Sequence, residues 1–488
     1  MHKHISYLNI KSYKIILCIF FGGFVSACKK FIEIDPPSTQ IIGATVYNNN
    51  NSAAAAMTSI YNNMIYGGQG LSDGLQSISC LDGLQADELT NYGNNFVYPS
   101  FYANALSSSS GGGSNNYFWP ELYNEIYVCN AVIEGLNSSQ AVTDSIRQQL
   151  IGEAEFMRAF FHFYATNLYG DVPVVTTTNY QTNNTIHRSP KALVYDQIVA
   201  DLLDAQMKLN SDFVDYQGLT TMERTRPNRG AATALLARVY LYEQKWDSAA
   251  IQATSVINNS QYTLVNVLSN VFLANSNEAI WQLQPVTAGA NTFDAQNFVL
   301  TSAPGTGQYF LSLSTFLLNS FEANDQRFSN WVGNFTDPSS NITYYFPNKY
   351  KVYLDPSPLT EYLMVLRLSE QYLIRAEAEA YGAGNGINSS ISDLNVIRNR
   401  AGLPSYAGSA GQDSVVAAIM HERQIELFTE WGHRWFDLKR TGLVNSVLGS
   451  PGNVCQAKGG NWSPDWQLMP LPLSEIQINP NLTQNPGY

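Results

Sequence analysis

Charge is what this sequence has least of. Only 14% of its 488 residues are Asp, Glu, Lys or Arg, where a globular protein carries about a quarter. The net charge is −12 and the pI near 5.0, which excludes a nucleic-acid binder that works by neutralising phosphates. Cysteine is scarce as well: there are five, with no C-x-x-C pair and no Cys/His cluster, so neither a zinc site nor a disulfide framework is expected. No Gly-rich loop ends in Lys-Ser or Lys-Thr, and a phosphate cradle is therefore excluded. The apolar run at 15–25 has eleven residues, too few to cross a bilayer core of about 30 Å as a helix.

What is abundant is aromatic and neutral polar. The chain has 29 Tyr, 23 Phe and 8 Trp, together 12%, far too many for a disordered chain. Its polar remainder is largely Asn, Ser, Thr and Gln, side chains that stack on or hydrogen-bond to neutral polar ligands.

The first residues read as an export signal. Lys3, Lys11 and Lys14 precede the short apolar run, which ends Val25-Ser26-Ala27-Cys28, a stretch that resembles the bacterial lipobox. The expected organisation is a signal peptide over 1–27, a lipid anchor at Cys28 with a tether to residue 44, and a body over 45–488. Acyl chains on Cys28 hold a protein to a membrane without a spanning helix. Removing the three lysines takes the formal charge from −12 to −15. Pro36-Pro37 keeps the tether extended. Of the remaining cysteines Cys80, Cys129 and Cys455, Cys129 falls on an apolar helix face and reads as a small core residue.

The body reads as mostly α. Helices are expected over about 53–66 with Ser52 as cap, 119–136 with Pro120 in the first turn, 143–169, and 190–210. Ala231, Leu235, Val239 and Tyr242 form one helical stripe; Trp246, Ala249, Ala253 and Ile257 form the next. Ala237, Tyr240, Trp246, Ala249 and Ala253 stand at the mutual spacings of a tetratricopeptide-type repeat. A second pair is expected over 366–381 and 389–400, and a last long helix over 414–431. The fold class is thus a tetratricopeptide-like helical-repeat scaffold with loop-rich insertions at about 87–118 and 262–365, where a binding surface is expected.

Catalytic patterns fail on inspection. Gly70-Leu71-Ser72-Asp73-Gly74 fits G-x-S-x-G, but a helix rather than a strand precedes it. His421-Glu422 opens like a zinc-protease helix, yet Ile425 occupies the second ligand position. The segment from Glu422 to Arg440 reads as an ion-pair network, with Arg423, Arg434 and Arg440 expected to separate Glu422, Glu426 and Glu430. No catalytic residue and no metal or cofactor is expected.

Several segments together carry a family resemblance. They are Cys28-Lys29-Lys30-Phe31-Ile32 with its Pro-Pro, Glu153 to Phe161 running into Tyr169-Gly170-Asp171-Val172-Pro173, and Gly230 to Tyr242. Further along come Leu394 to Pro404, His421 to Leu427, Gly432 to Arg440, Leu468 to Pro472, and Asn479 to Tyr488. In this order the chain resembles the SusD/RagB family of outer-membrane nutrient-binding lipoproteins of Bacteroidetes; Thr429-Glu430-Trp431 departs from that family's usual Phe-Glu-Gly-like stretch. The resemblance implies four tetratricopeptide-like units, a lipid anchor at the outer membrane, and a SusC-like TonB-dependent transporter as partner. It also implies capture of a nutrient, usually an oligosaccharide, with ligand contacts in the early loop and the mid-chain insertion.

Within those regions, chemistry singles out aromatics beside amides. The candidates are Tyr92, Asn94, Asn95, Phe96 and Tyr98 in the early loop, and Tyr309, Trp331 and Tyr345 in the insertion. A peptide cargo on the same architecture, as in the RagB branch, and a surface-anchored glycoside hydrolase are the alternatives.

Overall fold

The structure, a computed structural model, describes residues 43–65, 71–72, 74–94, 97–108, 118–305 and 309–488. Residues from Tyr47 to Tyr488 belong to one compact unit, set apart from the residues before them. Cys28, Asn95 and Phe96 lie outside the described residues.

In this unit, helix α1 (Asn50–Ile65) begins three residues earlier than the sequence suggests, because Asn49 rather than Ser52 caps it: Asn49 Oδ1 accepts from the Ser52 N–H at 2.9 Å. α2 (Ile78–Gln85), α3 (Trp119–Ser138), α4 (Asp144–Tyr169) and α5 (Lys191–Lys208) follow. Then come the hairpin α6 (Arg229–Tyr242) and α7 (Trp246–Ile257), and α8 (Leu368–Ala380), α9 (Ile387–Arg400), α10 (Gln412–Glu426) and α11 (His433–Arg440). From α3 to α9 each helix packs on the next, and α10 packs on α8 and α9. This is the expected helical-repeat scaffold.

The spacing of small residues sets how these helices meet. Ala237, Ala249, Ala250 and Ala253 are buried with Ile374, Ala378 and Ala383, joining the α6–α7 hairpin to α8. The alanines at the crossing let the backbones approach closely, and the rings fill the flanks: Trp246 stacks on Tyr381 at 4.2 Å and 12°. α4 is buried on nearly every face, the mark of a central helix. Its Phe156 and Phe160 meet the Trp281 ring edge-on at 5.1 and 5.7 Å. Gly170, at φ 77°, ends it, a left-handed position that costs glycine little.

Two expected helices end differently. α8 starts at Leu368 because residues 363–367 form a strand, and α10 stops at Glu426 rather than 431. Thr429, Trp431 and Gly432 all take positive φ (51°, 48° and 68°). That break turns Trp431 into the core, where its ring meets Phe160 at 5.5 Å and its indole N–H donates to Met364 O at 2.7 Å. Burial of a large aromatic with its donor satisfied outweighs one more helical turn.

Among the described residues the insertions are held by six short strands: β1 (Leu89–Asn91), β2 (Ala279–Leu283), β3 (Leu311–Leu313), β4 (Val332–Thr336), β5 (Thr343–Pro347) and β6 (Leu363–Arg367). They pair antiparallel as β1–β3, β2–β6 and β4–β5. Cys80, Cys129 and Cys455 are free and buried.

Candidate ligand-binding site

The two insertions expected to carry the site meet each other. Asn91 pairs with Leu311 at the end of β1–β3, and the Tyr92 N–H donates to Phe310 O at 2.8 Å. The Asn91 side chain then turns the chain, donating to Gly93 O and accepting from the Gly93 N–H, both at 2.9 Å. Gly93 is required there, because a Cβ would lie 2.8 Å from the Phe310 ring. The turn leaves Tyr92 41% exposed and Asn94 exposed.

Tyr92 meets a second ring across the insertion. It packs edge-on against Tyr344 of β5 at 5.6 Å and 89°. Tyr344 stands opposite Phe335 in the β4–β5 register. Val299, Leu300 and Phe346 form a small buried core beneath, with Tyr309, Phe335, Tyr344 and Tyr353 half-buried around it. The Tyr309 hydroxyl lies 2.7 Å from the Thr301 hydroxyl, and the Gly305 N–H donates to Tyr309 O at 2.8 Å. The result is a set of uncharged rings, fixed from beneath and open to solvent at their edges. Such a surface covers the C–H faces of a sugar, while neighbouring hydroxyls and amides read its polar groups.

Of the residues singled out from sequence, Tyr92, Asn94 and Tyr309 are available to a ligand. Two others are corrected. Trp331 is wholly buried, its indole N–H donating to Leu268 O at 2.9 Å and its ring edge-on to Phe272 at 5.6 Å. Tyr98 is also wholly buried, donating its hydroxyl to Leu75 O at 2.8 Å. Tyr345, half-buried like Tyr344, stands on the other face of β5, against Phe328 at 5.9 Å. Tyr344, which the sequence does not single out, is the β5 ring that meets Tyr92. The signal for it was present, since Tyr344 and Phe346 share a period of two and only one face of a hairpin can lie on the small core.

The charged segment is structural, but its partners differ from those expected. Glu422 and Glu426 are separated by Arg327 from the insertion, at 2.6 and 3.1 Å. Arg367 on β6 reaches Glu426, Glu430 and Glu278 at 2.5, 2.8 and 3.1 Å. Arg423 and Arg440 instead hold Asp437, and Arg434 holds Asp87. Burial pushes the Glu426 carboxyl up, yet the guanidiniums of Arg400, Arg367 and Arg327 outweigh it and hold the group well below the carboxylate range. Lys349, pushed down to about 8 by burial, donates to Glu430 beneath the Trp331 ring. The network therefore surrounds Trp331, which explains why that ring serves the scaffold.

Burial pushes Glu88 and Asp294 each up to about 8, but both are almost wholly inaccessible. Ser72 of the G-x-S-x-G stretch is buried and donates to Met64 O. His421 Nε2 lies 2.8 Å from Ser320 O and Ile425 is wholly buried.

A scaffold of stacked helix pairs that displays a neutral aromatic surface on its inserted loops defines a class of binding protein. Two family models match the chain in its two halves. Residues 319–488 match the SusD family, and residues 45–241 match a family described as starch-binding associating with outer membrane. The chain belongs to the SusD/RagB family. SusD-like protein P25 of Formosa agariphila is 25% identical, covering 98% of this chain and 100% of its own. A SusD superfamily protein of Bacteroides vulgatus shares the fold at TM-score 0.78 and 21% identity, over 91% of this chain and all of its own. A laminarin-binding SusD-like protein does so at TM-score 0.72 and 23% identity, over 91% of this chain and all of its own.

Proposed function

We propose that the protein is a lipid-anchored cell-surface receptor that captures an oligosaccharide on the Tyr92–Tyr309–Tyr344 surface and delivers it to a SusC-like TonB-dependent outer-membrane transporter. The observation that carries this reading is the edge-to-face meeting of Tyr92 and Tyr344, from two different insertions, beside the apolar base on which Tyr344 and Tyr309 rest. A neutral ring surface suits the C–H faces of a sugar, and the flanking Asn94 and Thr301 offer hydrogen bonds to its hydroxyls. The family described as starch-binding associating with outer membrane supports both the ligand class and the membrane location. In this reading residues 1–27 are the signal peptide, Cys28 carries the lipid, and residues 28–44 are the tether.

Binding here proceeds without turnover. Glu88 and Asp294, whose carboxyls burial pushes up to about 8, are closed to a ligand. The test is calorimetric titration against starch-derived and laminarin-derived oligosaccharides and against short peptides. Saccharide binding, with no new reducing ends after long incubation, is the expected result. Binding of peptides alone would move the protein to peptide capture, and release of reducing ends would make it a hydrolase.

A further inference from the structure

A second concavity, a cleft of about 850 Å³, shares no lining residue with the aromatic cluster. One wall is the outward face of α1, where Asn51 and Asn62 stand three turns apart. The opposite wall is the 214–226 segment with Tyr216, and Gln284 to Val286 beyond β2 close the end. Tyr216 is 50% exposed and Val286 44%.

The polar groups of this cleft divide sharply. Arg226, on its floor, is spent inside the protein: it donates to both oxygens of Glu153 at 3.1 and 2.7 Å and to the Thr58 hydroxyl at 2.9 Å. Tyr61 donates to the same Glu153 at 2.9 Å. No other Lys, Arg or His lines the cleft among the described residues, while Asp215 and Glu223 stand in its wall. That charge pattern disfavours an anion. By contrast, the carboxamides of Asn51, Asn62 and Gln284 and the phenol of Tyr216 make no hydrogen bond to another described side chain or backbone group. A carboxamide both donates and accepts, as a hydroxyl-bearing ligand requires. The Tyr216 ring with Pro285 and Val286 supplies apolar faces, and the volume is that of a site for a ligand of several rings.

We propose that this cleft is a second saccharide site, which takes a neutral oligosaccharide segment independently of the aromatic cluster. The ligand class rests on the reading of the protein as an oligosaccharide receptor; the location rests on the cleft alone. Two sites on one chain hold a long glycan by its second contact once the first is made, raising avidity without new chemistry.

The experiment is calorimetry of the full chain in detergent with hexasaccharides of laminarin and of starch, on the wild type and two double variants. Y216A/Q284A alters only exposed cleft groups, and Y92A/Y344A strips the aromatic cluster. Two saccharides per wild-type chain and one per Y216A/Q284A chain are expected, with the variant's melting temperature unchanged. Two saccharides per Y216A/Q284A chain, bound with wild-type affinity, overturn the proposal. Loss of all binding in Y216A/Q284A with none in Y92A/Y344A keeps the cleft and overturns the aromatic cluster as a site. Binding of neither sugar overturns both, and short peptides that occupy the cleft in place of sugar overturn the ligand class.

Discussion

The rings of Tyr92 and Tyr344 meet edge to face, 5.6 Å apart and at 89°, although one belongs to a loop after β1 and the other to β5. If they form one binding surface, Y92A and Y344A each weaken saccharide binding by about tenfold, the scale of losing one ring contact of about 1 kcal/mol or more. The double variant loses less than the sum, because each ring also positions the other. Titration of the four proteins closes this cycle. Additive losses would show that the rings act separately.

Trp331 gives the opposite expectation. It is wholly buried among Phe272, Lys349 and Arg367. W331A is expected to lower stability by about 3–5 kcal/mol through the cavity it leaves. Saccharide affinity of the fraction that stays folded should be unchanged, as read by chemical denaturation beside calorimetry. A stable W331A protein that no longer binds sugar would return Trp331 to the site.

Arg367 ties Glu278, Glu426 and Glu430 together in a region closed to water. Removing one partner of such a set leaves buried carboxylates unpaired, so R367A is expected to cost about 3–5 kcal/mol. R367K should recover little, because one ammonium cannot span the carboxylates that a planar guanidinium reaches. Denaturant titration of both variants checks this.

Asp294 predicts a dependence on pH. Burial, and then the charge of Glu430, push its pKa up to about 8. In the unfolded chain it ionises near 3.8, so between about 4 and 8 the folded state holds a proton that the unfolded state has released. Its contribution to stability is therefore fully present at the acid end and lost as pH rises through 8. D294N has no such group, and its melting temperature relative to wild type should rise by about 2–5 °C between pH 5 and pH 8. A constant difference would show that Asp294 is ionised throughout.

The lipid anchor proposed at Cys28 is tested by C28A, expressed in cells that lack the transporter partner. The wild type should sediment with membranes and the variant should be soluble. Retention of C28A on the membrane would refute the assignment.

The sequence by itself determined the scaffold. Helical stripes, small residues at the crossings and terminal signals act over a few turns, so 237–253 announces its hairpin without any partner. It also marked the two loop-rich insertions, whose β1 and β3 strands pair in the fold. Only tertiary structure decided which aromatics are surface and which are core. Trp331 and Tyr309 look alike as residues, but Trp331 is ringed by Lys349, Arg367 and Arg400, side chains from elements distant in the chain. The choice between Tyr344 and Tyr345 hangs on one step of strand register, which the apolar base of Val299 and Leu300 fixes from outside the strand. The same holds for the charges: the arginines that separate Glu422, Glu426 and Glu430 come from outside the segment that bears them. Burial and ion pairing are sums over neighbours from the whole chain, and those neighbours exist only once it has folded.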